Sequence, residues 1–161
     1  SVKREMRRQE RKVTDKEMIL DILNRSKIVH LGLVDGDEPY VVPMNYGYVM
    51  DDNLTLYLHS ANKGYKLEVL RKNPKVCFEM ECDVAESPGN VACQYSTFFK
   101  SLIGRGRAEI LEDSQEKIKA LSVFMKTQTG KDFEFNEKMV SAVSVIKITV
   151  DEYTAKANDR R

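Results

Sequence analysis

The stretch LTLYLHSANKGYKLEVLRKNP, residues 54–74, changes within a few residues from the pattern of a strand to that of a helix. Leucines at alternate positions of residues 54–58 predict a half-buried strand with one polar face. A helix is predicted to begin near Lys63 or Gly64 and to end before Pro74, which disfavours helix in the residue that precedes it. The stretch therefore predicts a strand and a helix joined by a short polar junction.

The polar junction has the residues that a phosphate group needs. The first N–H groups of a helix have no acceptor within the helix and carry the positive end of its dipole. Ser60 can donate a hydroxyl, Gly64 lets the backbone approach closely, and Lys63 and Lys66 can place ammonium groups near phosphate oxygens. The same residues also fit a helix that is capped by Asn62 and has solvent-facing lysines. The spacing leaves both interpretations open.

A second stretch, PYVVPMNYGYV at residues 39–49, places Pro43 inside an otherwise strand-like run. Because proline cannot donate to a ladder of hydrogen bonds, Pro43 predicts an edge strand or a bulge. The N–H groups of Met44 and Asn45 could then face a heteroaromatic ligand, whose carbonyls and ring nitrogens need donors. Together with the polar junction, this open edge predicts a phosphorylated aromatic cofactor.

The rest of the chain is rich in strands, with helices inserted between some of them. Gly104 and Gly106 predict a bend or bulge within the longest strand. The predicted fold is mainly β with α-helices, in which about six strands close into a barrel. The predicted elements are a helix capped by Thr14 and Glu17, strands near residues 29–33, 40–49, 76–82, 95–111 and 143–150, a turn at residues 35–37, and a helix from Asp113 to Gly130.

The chain of 161 residues is most simply one domain. Residues 1–13 are predicted to be a flexible basic arm, residues 14–157 the single folded domain, and residues 158–161 a C-terminal tail. The formal net charge of +1 gives no overall field that would attract nucleic acid. Nucleic-acid binding by the arm is an alternative that the balanced charge beyond residue 12 disfavours.

Cysteine usage and hydropathy indicate a cytoplasmic protein with no membrane span. Three cysteines fit a reducing compartment, and Cys77 and Cys82 are predicted on opposite faces of one strand, where they cannot form a disulfide. Only His30 and His59 could add metal ligands, so no metal site is predicted. No apolar run approaches the roughly 20 residues that cross a bilayer.

Three stretches in this order and spacing, PYVVPMNYGYV, LTLYLHSANKGYKLEVLRKNPKVCFEM and SLIGRGRAEILED, carry a resemblance to a known family. The chain resembles the split-barrel flavoproteins related to pyridoxamine 5'-phosphate oxidase, especially their nitroimidazole-resistance branch, over about residues 4–157. The resemblance implies a six-stranded antiparallel split β-barrel. It also implies a homodimer with FMN at the subunit interface, with FAD as a further option.

The resemblance also implies a set of cofactor-binding residues. The residues expected along the isoalloxazine ring are Val42, Pro43, Met44 and Asn45. Those expected around the ribityl phosphate are His59, Ser60, Ala61, Lys63, Gly64, Tyr65 and Lys66, and Ser101 is expected to line the pocket. Ser60 stands where the resistance branch usually has glycine, and Tyr65 where lysine is common, so one phosphate contact departs from the family pattern.

His59 is the candidate catalytic residue, because a histidine at this position lies close to the flavin in the resistance branch. It could hydrogen-bond the cofactor or substrate, pass a proton to a reduced product, or only orient the cofactor. The chain has no tryptophan and lacks the C-terminal pattern that binds pyridoxal phosphate, so oxidation of pyridoxamine phosphate is not expected. The implied function is an oxidoreductase that reduces a small aromatic substrate. The alternative is a non-catalytic flavin- or haem-binding module.

Overall fold

The computed structural model describes residues 4–159 of the chain. The strands are β1 (Lys12–Val13), β2 (Ile28–Asp35), β3 (Glu38–Asn45), β4 (Gly47–Met50), β5 (Leu54–Ser60), β6 (Lys75–Ser87), β7 (Ser96–Leu111) and β8 (Ser144–Asn158). The helices are α1 (Lys16–Arg25), α2 (Tyr65–Lys72), α3 (Ser114–Thr129) and α4 (Glu137–Ser141).

One antiparallel sheet closes on itself to form the barrel. The strand order is β3-β2-β6-β7-β8-β5-β4, with β1 paired to β8. The two ends of this order, β3 and β4, are consecutive in the chain and are separated only by Tyr46. One bent strand therefore pairs with β2 at one end of the sheet and with β5 at the other. With β3 and β4 counted as one strand and the two-residue β1 left out, the predicted six-stranded antiparallel split barrel is confirmed.

The core is formed by the inward-facing residues of alternating strands. Leu54, Leu56 and Leu58 of β5 are fully buried, as their alternation predicts. Helix α1 packs its own apolar face, which includes the fully buried Ile22, against one end of the barrel. The hydroxyl of buried Tyr46 donates to the carbonyl of Leu23 at 2.5 Å, so the bend between β3 and β4 is attached to α1.

The helix boundaries follow from capping residues, with one correction. Asp15 caps α1 and accepts a hydrogen bond from the N–H of Glu17 at 3.3 Å, so the predicted cap at Thr14 is wrong by one residue. Asp113 accepts from the N–H of Glu116 at 3.0 Å, and α3 ends at Gly130 with φ of 73°, as predicted.

The predicted bend in the longest strand is a bulge between β7 and β8. The register shifts between Arg105 and Gly106. At Gly104, an added Cβ would lie 2.2 Å from the ring of Phe78, so this glycine makes room for a buried aromatic side chain. These two glycines let a 16-residue strand curve around the core.

Both ends of the chain are more extensively paired than the sequence indicates. Strand β8 continues to Asn158, beyond the predicted end at residue 150. Lys12 and Val13, which lie in the predicted arm, pair with β8, so the arm is not loose where it joins the domain. Residues 1–3 of the arm and residues 160–161 of the predicted tail lie outside the described residues.

The cysteines are unpaired thiols, as predicted. Cys77 is half-buried and Cys82 is buried, in agreement with their placement on opposite faces of β6, and Cys93 is exposed. Among residues 4–159, no helix combines the length and the apolar character that crossing a bilayer requires.

Candidate functional site

The open edge of β3 runs beside the segment that follows β5. Strand β3 ends the hydrogen-bonded order of the sheet, and Pro43 pairs on one side only, with His30 of β2. Further along the chain, Gly47 of β4 pairs with Tyr57 of β5. Because the two strands are antiparallel, Asn45 lies close to the end of β5 that carries His59.

The other end of this arrangement is marked by a contact between two aromatic rings. The ring centroids of Tyr40 and Tyr65 are 4.7 Å apart. Residues 40–45 of β3 and residues 59–65 therefore face each other over about 17 Å of strand length. We call these two facing segments the edge strip. The predicted cofactor-binding residues all belong to it, apart from Lys66, which follows it directly in α2, and Ser101.

Asn62 connects the second segment of the edge strip to the end of α4 and the start of β8. Its side-chain nitrogen donates to the carbonyl of Ser141 at 3.0 Å, and its oxygen accepts from the hydroxyl of Ser144 at 3.0 Å. Both polar groups of Asn62 are thus committed to residues outside α2. The interpretation in which Asn62 caps the helix is wrong.

Helix α2 starts at Tyr65 without a side-chain cap. Gly64 occupies the N-cap position with φ of 149°, a conformation that favours glycine, and an added Cβ there would meet no atom within 4 Å. The reason for a glycine at this position is therefore conformational rather than steric. The first N–H groups of the helix have neither a helical nor a side-chain acceptor, so they are free to bind an anion.

Two lysines beside this helix start are not neutralised within the chain. Lys63 is exposed and Lys66 is half-buried. Among the described residues, no carboxylate lies within ion-pair distance of either ammonium group. The uncapped N–H groups and the two lysines give this helix start positive charge that a bound anion would balance, beside the acidic Glu68 of the same turn.

Ser60 and Tyr65 make other contacts with their hydroxyl groups. The hydroxyl of Ser60 donates to the carbonyl of Ala61 at 2.9 Å. The phenol of Tyr65 donates to the carboxylate of Asp35 at 2.6 Å, and this hydrogen bond raises the pKa of Tyr65 to about 12. Since both side chains have internal partners, the backbone and the lysines are the groups left for an anion.

His59 is exposed and lies against α3. Its ring meets that of Phe124 edge to face, with centroids 4.6 Å apart and an angle of 82° between the ring planes. Partial burial against this ring lowers the pKa of His59, because desolvation disfavours the charged imidazolium. The imidazole is therefore neutral at pH 7, with one nitrogen as a donor and the other as an acceptor.

Helix α3 supplies neighbours that the sequence did not indicate. Gln128 donates to the carbonyl of Tyr46 at 2.7 Å and to that of Lys27 at 3.0 Å, next to the side chain of Asn45. At Gly47, an added Cβ would lie 2.4 Å from the Cα of Phe124, so α3 can approach β4 only because this residue is glycine. In the sequence, Gly47 is the one feature that could have indicated the close contact between α3 and β4.

Ser101 is not part of the edge strip. Residues His59 and Leu111 both pair with Val145 of β8, whereas Ser101 lies ten residues before Leu111 on β7. This separation is about 33 Å along the strand. One chain therefore does not bring Ser101 to the helix start that carries Lys66.

Ser101 lies instead on the outer face, by which we mean the side of β3, β2, β6 and β7 that points away from the core. Pro43, His30, Glu79 and Ile103 form one row across this face, and Ser101 pairs with Glu81 in the next row. With strands about 4.8 Å apart, roughly 14 Å separates β3 from β7. The outer face thus connects the edge strip to Ser101 through β2 and β6.

Three side chains gather in the middle of the outer face. The Nε2 atom of His30 lies 3.2 Å from a carboxylate oxygen of Glu81 and 4.0 Å from one of Glu79. Burial and the adjacent Glu81 carboxylate raise the pKa of Glu79. The sequence did not indicate this cluster, because His30 is far from the two glutamates along the chain.

Two cavities lie elsewhere in the molecule. One, of 570 Å³, is lined by the N-terminal segment and the end of β8, and the other, of 910 Å³, lies between the β4–β5 turn and the middle of β7 and β8. None of the predicted cofactor-binding residues lines either cavity. The edge strip lies outside both cavities, and all of its residues except Met44 are exposed or half-buried, so it is a surface site in a single chain.

The chain forms an antiparallel barrel that closes through one bent strand, and a positively charged helix start lies beside the open edge of that strand. This combination defines the split-barrel class of proteins. The chain belongs to the pyridoxamine 5'-phosphate oxidase family, whose model matches residues 15–157. The family interpretation of the sequence is thereby confirmed.

Solved structures give the same result. A candidate 5-nitroimidazole antibiotic resistance protein from Bacteroides thetaiotaomicron is 36% identical over 90% of this chain and 85% of its own, with a TM-score of 0.78. A candidate pyridoxamine 5'-phosphate oxidase from Listeria innocua is 30% identical over 85% of this chain and 94% of its own, with a TM-score of 0.56. The FAD and haem binding protein from Mycobacterium smegmatis is similar in fold, with 17% identity over 93% and 74% of the two chains and a TM-score of 0.80. No curated protein matches the chain.

Proposed function

We propose that the chain binds FMN along the edge strip and acts as an oxidoreductase on a small aromatic substrate. The observation that carries the proposal is the electropositive start of α2, with uncapped N–H groups and the unpaired Lys63 and Lys66, at one end of a strip about 17 Å long. The open edge of β3 lies along the rest of the strip. This arrangement suits a phosphate at one end and a flat polar ring beside β3.

The orientation of the backbone narrows the expected ring contacts. Successive N–H groups of a strand point to opposite edges, and Pro43 is tolerated where its nitrogen faces away from β2. Asn45 shares that side, so its N–H is expected to face the ring, whereas the N–H of Met44 points towards β2. Of the two donors considered from the sequence, we therefore assign only Asn45 to the ring.

His59 is expected to contact the substrate or the ring system at the other end of the strip from Lys66. A neutral imidazole can orient a carbonyl or nitro group by donating a hydrogen bond. Bound FMN would supply the electron transfer, so the chain's own residues need only to bind, orient and exclude water. Nitro-aromatic substrates are included because of the relative from Bacteroides thetaiotaomicron that is named for 5-nitroimidazole resistance.

The proposal includes a homodimer, because the edge strip is open and Ser101 lies apart from it. The outer face exposes Val41 and Ile103 by 65% and 49%, respectively, which is apolar surface that a second copy could cover. A second copy packed on this face would place its own Ser101 near the edge strip of the first. Two copies would then complete the cofactor site that one chain leaves open.

The first experiment is the visible absorption spectrum of the protein purified without added cofactor, followed by mass spectrometry of what heat releases. Flavin bands with release of FMN support the proposal, and FAD in its place would change the cofactor while keeping the site. A colourless protein that also fails to take up FMN would overturn it.

The second experiment separates an enzyme from a binding module. The flavin is reduced with dithionite without oxygen, and a nitroimidazole is then added. Rapid substrate-dependent return of the oxidised flavin spectrum indicates catalysis. A flavin that binds but stays reduced with nitro-aromatic and quinone substrates would favour a non-catalytic flavin- or haem-binding module.

A further inference from the structure

We propose that His30, Glu79 and Glu81 form a binding site for one divalent transition-metal ion on the outer face. The three ligand atoms lie within 4.8 Å of one another. One imidazole and two carboxylates form a ligand set that first-row divalent metals accept. The site lies on the outer face that the proposed dimer would cover, in the row next to Pro43 of the edge strip, and all three of its ligands come from one chain.

The register of two strands brings these ligands together. His30 of β2 pairs directly with Glu79 of β6, so both side chains point to the same face. Glu81 is two residues further along β6 and shares that face, because side chains alternate along a strand. The buried neighbours Val29, Leu31 and Met80 hold both strands in this register. The positions of the three ligands are therefore set by the sheet itself.

The distances are close to those of a metal site. Metal–nitrogen and metal–oxygen bonds of about 2.1 Å place neighbouring ligand atoms roughly 3 to 3.5 Å apart. The distance from His30 Nε2 to Glu81 is 3.2 Å, which already fits, and the distance to Glu79 is 4.0 Å. A small rotation of the Glu79 side chain would close the set. Three protein ligands would leave a position open for water or a small molecule.

The charge of the site favours a cation. The residues that pair with the three ligands across the neighbouring strands carry no charge. They are Pro43 opposite His30, Ile103 opposite Glu79 and Ser101 opposite Glu81. Within residues 4–159, the only ion-pair partner of either glutamate is His30. A divalent ion would neutralise two carboxylates that are otherwise held close together in a half-buried position. The imidazole nitrogen disfavours Mg²⁺ and Ca²⁺, which prefer oxygen ligands.

The test uses the full-length chain and Co²⁺ as an optical probe. We expect a saturable visible d–d absorption with one Co²⁺ per chain, without a thiolate charge-transfer band, and competition by Zn²⁺. The variants His30→Gln and Glu81→Gln should each weaken binding roughly tenfold or more, since each loses one ligand. Glu86→Gln, an exposed position on the same strand, is the matched control and should bind like the unaltered chain.

Three outcomes would overturn the proposal. They are the absence of saturable binding, a thiolate charge-transfer band that shows cysteine ligation, and equal affinity in the two ligand variants. Circular dichroism of each variant shows whether it has folded.

A measurement on the unaltered chain avoids the question of folding in variants. The sequence contains only two histidines, so their ring signals can be followed together by NMR. Paramagnetic Co²⁺ should broaden the ring signals of His30 at lower metal-to-protein ratios than those of His59. Broadening of His59 first would place the metal on the edge strip and overturn the assignment.

Discussion

Lys66 lies in the first turn of α2, half-buried and without an acidic partner among residues 4–159. An ammonium group in this position interacts with an anion in partly dehydrated surroundings, where a charged hydrogen bond is stronger than in water. Lys66→Ala should therefore weaken FMN binding by about 1 to 3 kcal/mol. Titration of the apoprotein, followed by quenching of flavin fluorescence, measures the change.

The control for this substitution is Lys72→Ala. Lys72 is an exposed lysine in the last turn of the same helix, so the two variants lose the same charge and differ in position. Lys72→Ala should bind FMN as the unaltered chain does. Equal affinities for all three proteins would remove Lys66 from the phosphate site.

His59 should titrate below the usual histidine value of about 6.5, because the ring of Phe124 partly desolvates it. Phe124→Leu should raise the pKa of His59 towards 6.5, and Phe133→Leu, at an exposed aromatic residue of the α3–α4 loop, should not. Titration of the ring protons by NMR gives both midpoints, with His30→Gln used to assign the signals. A midpoint at or above 6.5 in the unaltered chain would contradict the prediction.

The same shift has a consequence for stability. The unfolded chain protonates this histidine near pH 6.5, whereas the folded chain does so at lower pH. Between these two values the unfolded state binds more protons. Protonation of His59 therefore has no effect on stability well above pH 6.5, and it lowers the free energy of unfolding as the pH falls below that value.

At the scale of elements, an ion-pair network joins α1 to β6 and β7. Asp83 has φ of 56° at the bulge of β6, and its carboxylate accepts from Arg25 at 2.8 Å and lies 3.3 Å from the ammonium of Lys100. Hydrogen bonding to Arg25 lowers the pKa of Asp83 to about 2. The side chain is 36% exposed, so solvent screening limits what the network contributes.

Asp83→Asn tests this network without changing the backbone, because asparagine tolerates the same left-handed conformation. The ionised carboxylate stabilises the fold above the unfolded pKa of about 3.8, and this contribution is lost as the pH falls towards 2. The variant should therefore unfold at a lower urea concentration at pH 7, and the difference should shrink at pH 2. The exposed turn residue Asp52, changed to Asn, is the control.

A difference between unaltered chain and Asp83→Asn that is the same at both pH values would show that the carboxylate charge is not the stabilising feature. Asparagine has nearly the same size as aspartate and keeps most of its hydrogen-bonding capacity. A loss of stability that does not depend on pH would therefore point to the backbone conformation at the bulge.

Local chemistry predicts some elements well and others poorly. Asp113 and Gly130 bound α3, and Pro74 follows the end of α2, because capping and proline effects act within a few residues. The five-residue helix α4, capped by Asn136, is too short to show a helical period. The extension of β8 to Asn158 depends on pairing with β7 and β1, which no local pattern encodes.

At the scale of the whole molecule, the proposed dimer predicts a mass near twice the 18.5 kDa of one chain. Val41→Glu would bury a carboxylate in the interface, which is costly without a partner charge. The variant should become monomeric and bind FMN more weakly. Light scattering coupled to gel filtration measures the mass, and Phe133→Glu, an exposed apolar residue on the α3–α4 loop, is the control.

A monomeric mass for the unaltered chain loaded with FMN would contradict the dimer. A dimer that persists in Val41→Glu would place the interface on another face. Either result leaves the fold untouched, since the barrel is complete within one chain.

The site was predictable where its residues are close in sequence. Lys63, Gly64 and Lys66 mark the helix start because a strand–junction–helix pattern is local. The contact of Phe124 with His59 and the approach of His30 to Glu81 join elements that only the closed sheet brings together. Such contacts depend on register across strands and on helix packing, which a single sequence does not encode locally.

Pro43 has a second consequence for a chain that keeps one strand edge open. Free N–H and C=O groups along such an edge can pair with the same edge of another molecule and extend the sheet from chain to chain. Pro43 has no N–H to offer and places its ring on that edge. The residue that leaves room for a ligand beside β3 thus also protects the protein against fibre formation.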